Sequence, residues 1–175
     1  MSSAAFKALS ASLLDEHDAA LLDQFEMDPI LPNKEGPSYA EPVQPCGCEF
    51  IDRYREWERC LRLNAARHRA TKTKRENAAP VDPPFFPNDA AAAAIKAVTA
   101  GDSPLETEIL LDKARWSAID LLAGNYYFDR NTVFAYYLKL VLLERKISFN
   151  DKEGFSEYKS LYASILENAN LGEPK

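Results

Sequence analysis

Apolar and polar positions recur along most of this chain with the period of an α-helix, and no stretch alternates with the period of two that marks a strand. The clearest case lies at residues 48–75. Phe50, Tyr54, Trp57, Leu61, Asn64 and His68 follow one another at alternating steps of four and three, which is one seam of a helix, and arginines occupy its flanks. At ~1.5 Å per residue such a helix is roughly 40 Å long, the length of a spine for the fold. Upstream, residues 3–26 read as helical in two pieces, with Leu13, Leu14, Leu21, Leu22 and Phe25 set among acids.

Downstream, local stop and start signals divide the pattern further. An alanine-rich helix starts near Asn88 or Asp89 and stops at Gly101. Ser103-Pro104-Leu105-Glu106 is a capping box with proline at the first helical position. The helix it opens carries Ile109, Asp112, Trp116 and Ile119 on one line and ends at Gly124. Asp129 caps a helix over about 130–147, the most hydrophobic segment and therefore expected at the centre. Asn150-Asp151-Lys152-Glu153 opens the last helix, which places Phe155, Tyr158, Tyr162 and Ile165 on one face with Leu161 and Leu166 beside them. Prolines crowd residues 27–47 and 76–87, where no period survives, and residues 168–175 read as a frayed tail. The expectation is an all-α fold: an irregular bundle of about six helices with proline-rich connecting loops, forming a single helical domain over residues 1–175. Its core would be built from the helices at 48–75, 104–123 and 130–147.

Composition narrows the setting without changing this picture. Hydrophobic residues at 46% and charged residues at 27% are ordinary globular values. No run reaches the ~18–20 apolar residues of a membrane span; the longest, Val133 to Leu143, is interrupted by Lys139. The first residues lack the charged and apolar regions of a secretory signal, and three cysteines make no disulfide framework. A cytoplasmic protein is expected, peripheral at the inner face of the cell membrane through partners alone.

Charge changes the picture more. Residues 53–75 hold nine of the 21 basic residues and two of the 27 acidic ones, within a chain of net charge −6. Such asymmetry points to a charged docking surface or to a strong internal match between segments; Arg53, Arg55, Arg59, Arg62 and Arg69 are the docking candidates, of which the seam would bury one or two in core ion pairs. A nucleic-acid surface is the weaker alternative. The chain is acidic overall, no reader motif accompanies the basic stretch, and no stacking aromatics interleave residues 62–75.

Candidate chemistry is sparse. No nucleophile elbow, phosphate-binding glycine loop, dinucleotide fingerprint or zinc-protease motif is present, and only two histidines and six glycines are available to build a site. The expectation is a non-enzyme without cofactor. Cys46-Gly47-Cys48 invites a metal reading, but zinc requires four ligands. Cys60 and His68 are the nearest further donors, and two helical turns, roughly 12 Å, separate them, so no metal site is assigned. Asn64 and His68 interrupt the apolar seam of the long helix and need partners there. Asp112 and Arg115 are the candidates, forming with them a structural polar network that Arg62 could also join.

Two regions resemble a known family. The run Trp57 to Ala70 resembles the W-E-x-x-L-R-x-x-x-A-x-x-R-A helix of an uncharacterised bacterial family, as does Ser103 to Glu106 continuing through Leu111-Asp112-Lys113-Ala114-Arg115-Trp116. Tyr127-Phe128 and the run Tyr136 to Arg145 resemble its Y-x-L-K-L-x-x-L-E-R segment. That family is encoded beside the subunits of bacterial V-type (rotary) ATP synthases. The resemblance implies a non-catalytic subunit or assembly partner of that enzyme, similar to the helical stalk subunit, C or d, that couples the central axle to the membrane rotor ring. Other V-type ATPase subunits would then be the partners, in the service of ion and proton transport. Family members usually open with a short aromatic and apolar segment that this sequence lacks, and contact with the rotor ring is the expectation that departure touches. The alternative is a free-standing helical regulatory or nucleic-acid-binding protein using the basic helix 53–75.

Overall fold

The structure is a computed structural model, and it describes residues 1–25, 44–72, 74, 90–100, 103–125, 129–148 and 151–170. Seven α-helices and no strand occur among the described residues, so the fold is all-α. They are α1 (Ser3–Ser10), α2 (Glu16–Gln24), α3 (Glu49–Lys72), α4 (Ala90–Ala100), α5 (Pro104–Ala123), α6 (Arg130–Ser148) and α7 (Asp151–Asn170). The N-terminal stretch does form two pieces. Most of the two proline-rich stretches, residues 26–43 and 75–89, and the Tyr127-Phe128 pair lie outside the described residues. Of the expected frayed tail, 168–170 belong to α7, which continues through Asn170, and 171–175 lie outside the described residues.

Local backbone chemistry sets the helix ends. Ser2 Oγ accepts the Ala5 N–H at 3.1 Å, Asp15 Oδ1 accepts that of Asp18 at 2.7 Å, and Ser103 Oγ accepts that of Glu106 at 3.2 Å. Asp129 Oδ1 takes both the Thr132 N–H and its hydroxyl, at 2.9 and 3.0 Å. At the far end of α5, Gly124 has φ 70° and ψ −160°, a conformation open essentially to glycine alone. At the start of α3, Asp52 Oδ1 reaches back to the Cys46 N–H at 2.7 Å, and Gly47 turns the chain there with φ 85°.

By its internal packing the chain divides into two compact units, Met1–Leu142 and Leu143–Lys175, the division falling inside α6. Every described side chain of α7, from Gly154 to Ile165, is exposed.

In the first unit α3 is the spine, packing against both α4 and α5, which also pack on each other. Phe50, Ile51, Tyr54, Trp57, Cys60 and Leu61 are all buried, so α3 is enclosed on most of its circumference over three turns. Tyr54 meets Phe25 edge-on at 6.0 Å and stacks on Trp57 at 6.3 Å. Ala90, Ala94 and Ala97 give α4 a face of small side chains against the core, which permits close approach. The expected core helices all contribute to the core, but α4 joins them and α6 is not the central element. It buries Phe134, Ala135, Leu138 and Leu142 on one side and exposes Tyr136 on another. The N-terminal helices are tied to α6 through Phe6 against Tyr136 (4.8 Å) and the Arg130–Asp18 ion pair (3.1 Å). Among the described residues no helix is long and apolar enough to cross a membrane.

Candidate functional site

The buried face of α5 is turned from the line read off the sequence. Thr107, Leu111, Arg115, Ala118 and Ile119 are buried, whereas Asp112 and Trp116 are half-buried at its edge. A helix this rich in apolar residues on all sides has more than one plausible seam, and packing on α3 and α4 selects among them. The selected register drives Arg115 into the core, at 3% exposure.

Its partner is Glu58 of α3, itself 5% exposed, which sequence reasoning did not single out. Arg115 donates from Nε to both Glu58 carboxylate oxygens (3.3 and 3.1 Å) and from Nη2 to Oε1 (3.0 Å), a forked pairing that fits a guanidinium to a carboxylate. Its Nη1 donates to Asp112 at 2.7 Å, and Arg62 Nε donates to Glu58 at 2.6 Å. The cluster thus holds two carboxylates and two guanidiniums, a neutral set. Burial works against a charged Arg115, but the Glu58 carboxylate beside it, with Tyr54 and Asp112, more than offsets that cost. The guanidinium is held above its ordinary value.

The four residues expected to form one polar network therefore divide. Asp112 and Arg115 belong to it, with Arg62 as the further cation. Asn64 instead donates back to its own helix, to the Cys60 carbonyl at 2.8 Å and to its Sγ at 3.4 Å. His68 is not a member: its Nδ1 is buried without a hydrogen-bond partner among the described residues. Both lie past the level of Glu58 along α3, by nearly two and three turns, beyond the reach of a cluster anchored at that carboxylate. A signal for Glu58 did exist. It stands four residues before Arg62, the spacing of an intrahelical ion pair, inside the Trp57-Glu58 segment that carries the family resemblance.

The five docking arginines separate as sharply. Arg59 is buried and pairs with Glu56 at 2.8 Å, and Arg62 serves the cluster, so neither forms part of an open basic face. Arg55 is half-buried over the Phe25 ring, 5.5 Å from its centroid. Arg53 and Arg69 remain exposed, with wide surface contacts to Glu49 (3.4 Å) and Glu108 (3.8 Å). The basic run is largely matched by carboxylates of its own helix, and of the five candidates Arg53 and Arg69 are the exposed ones.

No three of Cys46, Cys48, Cys60 and His68 gather as ligands; Cys48 and Cys60 are buried and form no disulfide. Burial pushes the Cys46 thiol up, and Asp52 nearby adds to the shift, so Cys46 is held away from the thiolate that metals and electrophiles take. Among the described residues Asp15, His17 and Asp18 do place ligand atoms within 4.8 Å of one another. Their geometry has a structural explanation, since Asp15 caps α2 and Asp18 holds Arg130.

Two surfaces carry features that the core does not use. A groove of about 300 Å³ lies between α4 and α5, with Trp57 beneath, alanines 93, 97, 114 and 118 along its walls, and Lys96 and Lys113 beside it. In the second unit, α7 exposes Phe155, Tyr158, Leu161, Tyr162 and Ile165 by 54–63% each.

Residues 95–168 match the model of a family described as protein of unknown function (DUF2764). The match takes in α5, α6 and most of α7, including Asp112, Arg115 and the exposed α7 residues, and leaves Glu58 and Arg62 outside. No curated protein and no solved structure matches the chain.

Proposed function

We propose that this chain is a non-catalytic helical subunit or assembly partner of a bacterial V-type ATP synthase, held at the inner face of the cell membrane by its protein partners. The observation that carries the reading is the meeting of the first two of the resembling segments, Trp57 to Ala70 and Ser103 to Trp116. Glu58 and Arg62 from the first and Asp112 and Arg115 from the second lie 57 residues apart along the chain at Glu58–Arg115, yet close one buried ion cluster. Residues of two resembling segments therefore lock α3 to α5, which is the role expected of a load-transmitting scaffold. A buried, mutually neutralised set of charges fixes geometry and has no open position for a substrate. Docking through Arg53 and Arg69 is consistent with their exposed and weakly held ion pairs, which exchange for partner contacts at little cost.

The test is capture of ATP synthase subunits by the tagged chain, at moderate and at high salt. Stalk or ring subunits should be retained at moderate salt, and Arg53→Glu with Arg69→Glu should weaken retention at least tenfold. Absence of every such subunit, together with salt-sensitive retention of RNA or DNA, would sink the proposal.

A further inference from the structure

The exposed residues of α7 form an ordered seam. Phe155, Tyr158, Tyr162 and Ile165 are spaced three, four and three apart, the repeat that keeps one stripe of a helix facing a partner helix. The stripe is pre-shaped: Tyr158 and Tyr162 stack at 6.1 Å with rings 19° apart, and Lys159 lies 4.6 Å over the Phe155 ring. Leu161 widens it on one edge. A helix with eight apolar residues among twenty, four of them on one stripe, has a face that water covers at a cost, and monomeric proteins rarely leave a contiguous patch above a few hundred Å².

We propose that α7 pairs with α7 of a second copy of this chain. Three observations select that occupant. The seam is self-complementary, because its spacing is symmetric about Ser160: in an antiparallel pair Phe155 meets Ile165 and Tyr158 meets Tyr162, twice over, as a two-fold interface requires. Charge along the exposed stretch does not oppose it, since Glu157 and Lys159, the two charged residues of 154–165, are one of each sign. The area is also sufficient. Five large side chains at 54–63% exposure leave on the order of 600 Å² per copy. That reaches the roughly 600 Å² per partner at which specific, stable interfaces begin. Aromatic side chains dominate it, as they do the centres of such interfaces.

Sedimentation velocity on the full chain at micromolar concentrations tests the pairing. The expected species has about twice the 19.6 kDa mass of one chain. The double variant Tyr158→Glu, Tyr162→Glu should sediment as a monomer, with its dimer dissociation constant raised at least a hundredfold and its helical circular dichroism retained. Ser160→Glu, on the opposite side of α7, should leave the dimer unchanged, and Ile165→Ala should weaken it about tenfold. A monomeric parent chain overturns the proposal, and so does a dimer that the double variant leaves intact. Self-pairing and the rotary-enzyme reading fail separately. A monomer that captures ATP synthase subunits through α7 would refute only the former, and a dimer that captures none would refute only the latter.

Discussion

Replacing Arg115 by methionine tests whether the Glu58–Arg115 cluster fixes α3 against α5. The substitution keeps a long, flexible side chain in place and removes the three hydrogen bonds between Arg115 and Glu58 (3.0–3.3 Å) and the one to Asp112 (2.7 Å). Glu58, 5% exposed, keeps Arg62 at 2.6 Å but then has one cation where it had two. Removing one member of a buried ion pair costs about 3–5 kcal/mol, chiefly because the remaining charge is left in a poor environment. Against a total stability of roughly 5–15 kcal/mol this is a large fraction, and at about 2–4 °C per kcal/mol it lowers the melting temperature on the order of 10 °C. The assay is urea unfolding followed by far-ultraviolet circular dichroism, for R115M, E58L and the double variant. The double variant removes both buried charges of the pair and leaves Arg62, whose side chain is 22% exposed, able to turn to water. It should therefore be less destabilised than the sum of the singles by about 2 kcal/mol or more, which is the coupling between neighbours in one network. A loss below about 1 kcal/mol for R115M, or strict additivity of the two singles, would refute the argument that this cluster holds the helices together.

Two further outcomes follow from the geometry. Gly124→Ala should destabilise by about 1–3 kcal/mol through backbone strain alone, since a Cβ there meets nothing within 4 Å; chemical denaturation of that variant beside Ser117→Ala, at an exposed helical position, separates this from a generic effect. The Cys46 thiol, raised by burial and by Asp52, should alkylate with iodoacetamide more slowly in the native chain than in urea at pH 9, measured peptide by peptide. The sign is that of an acid with a raised folded value: its contribution to stability is present below the ordinary thiol range and is lost as pH rises through it, because the unfolded chain gives up the proton first. Equal native and denatured rates would refute that environment for Cys46.

Where helices begin and end was decided within a few residues of sequence. Ser103 caps α5, Asp129 caps α6 and Gly124 stops α5, all as their side-chain and backbone chemistry requires, because a cap bonds to an N–H only two or three positions away. The long seam of α3 was legible for the same reason: Phe50, Tyr54, Trp57 and Leu61 are all buried, and the pattern that predicts the helix also predicts the face. Elsewhere the tertiary structure decided. On α5 the apolar residues are spread so broadly that Ile109-Asp112-Trp116-Ile119 and Leu111-Arg115-Ala118 were both credible stripes, and packing placed Arg115 rather than Asp112 in the interior. Glu58 then became the central anion of the fold. Its partner lies 57 residues away, and a charge pair at that distance leaves no local periodicity to read. The same limit explains the arginines. Composition registered a basic helix, and the i,i+3 and i,i+4 spacings offered Arg59 and Arg62 their partners Glu56 and Glu58, but which guanidiniums stay exposed, as those of Arg53 and Arg69 do, depends on which helix lies opposite. For α7 the sequence determined an amphipathic helix with a Phe155-Tyr158-Tyr162-Ile165 stripe. Only the structure decided that this stripe stands exposed, because burial is a property of what other elements cover and not of the segment itself.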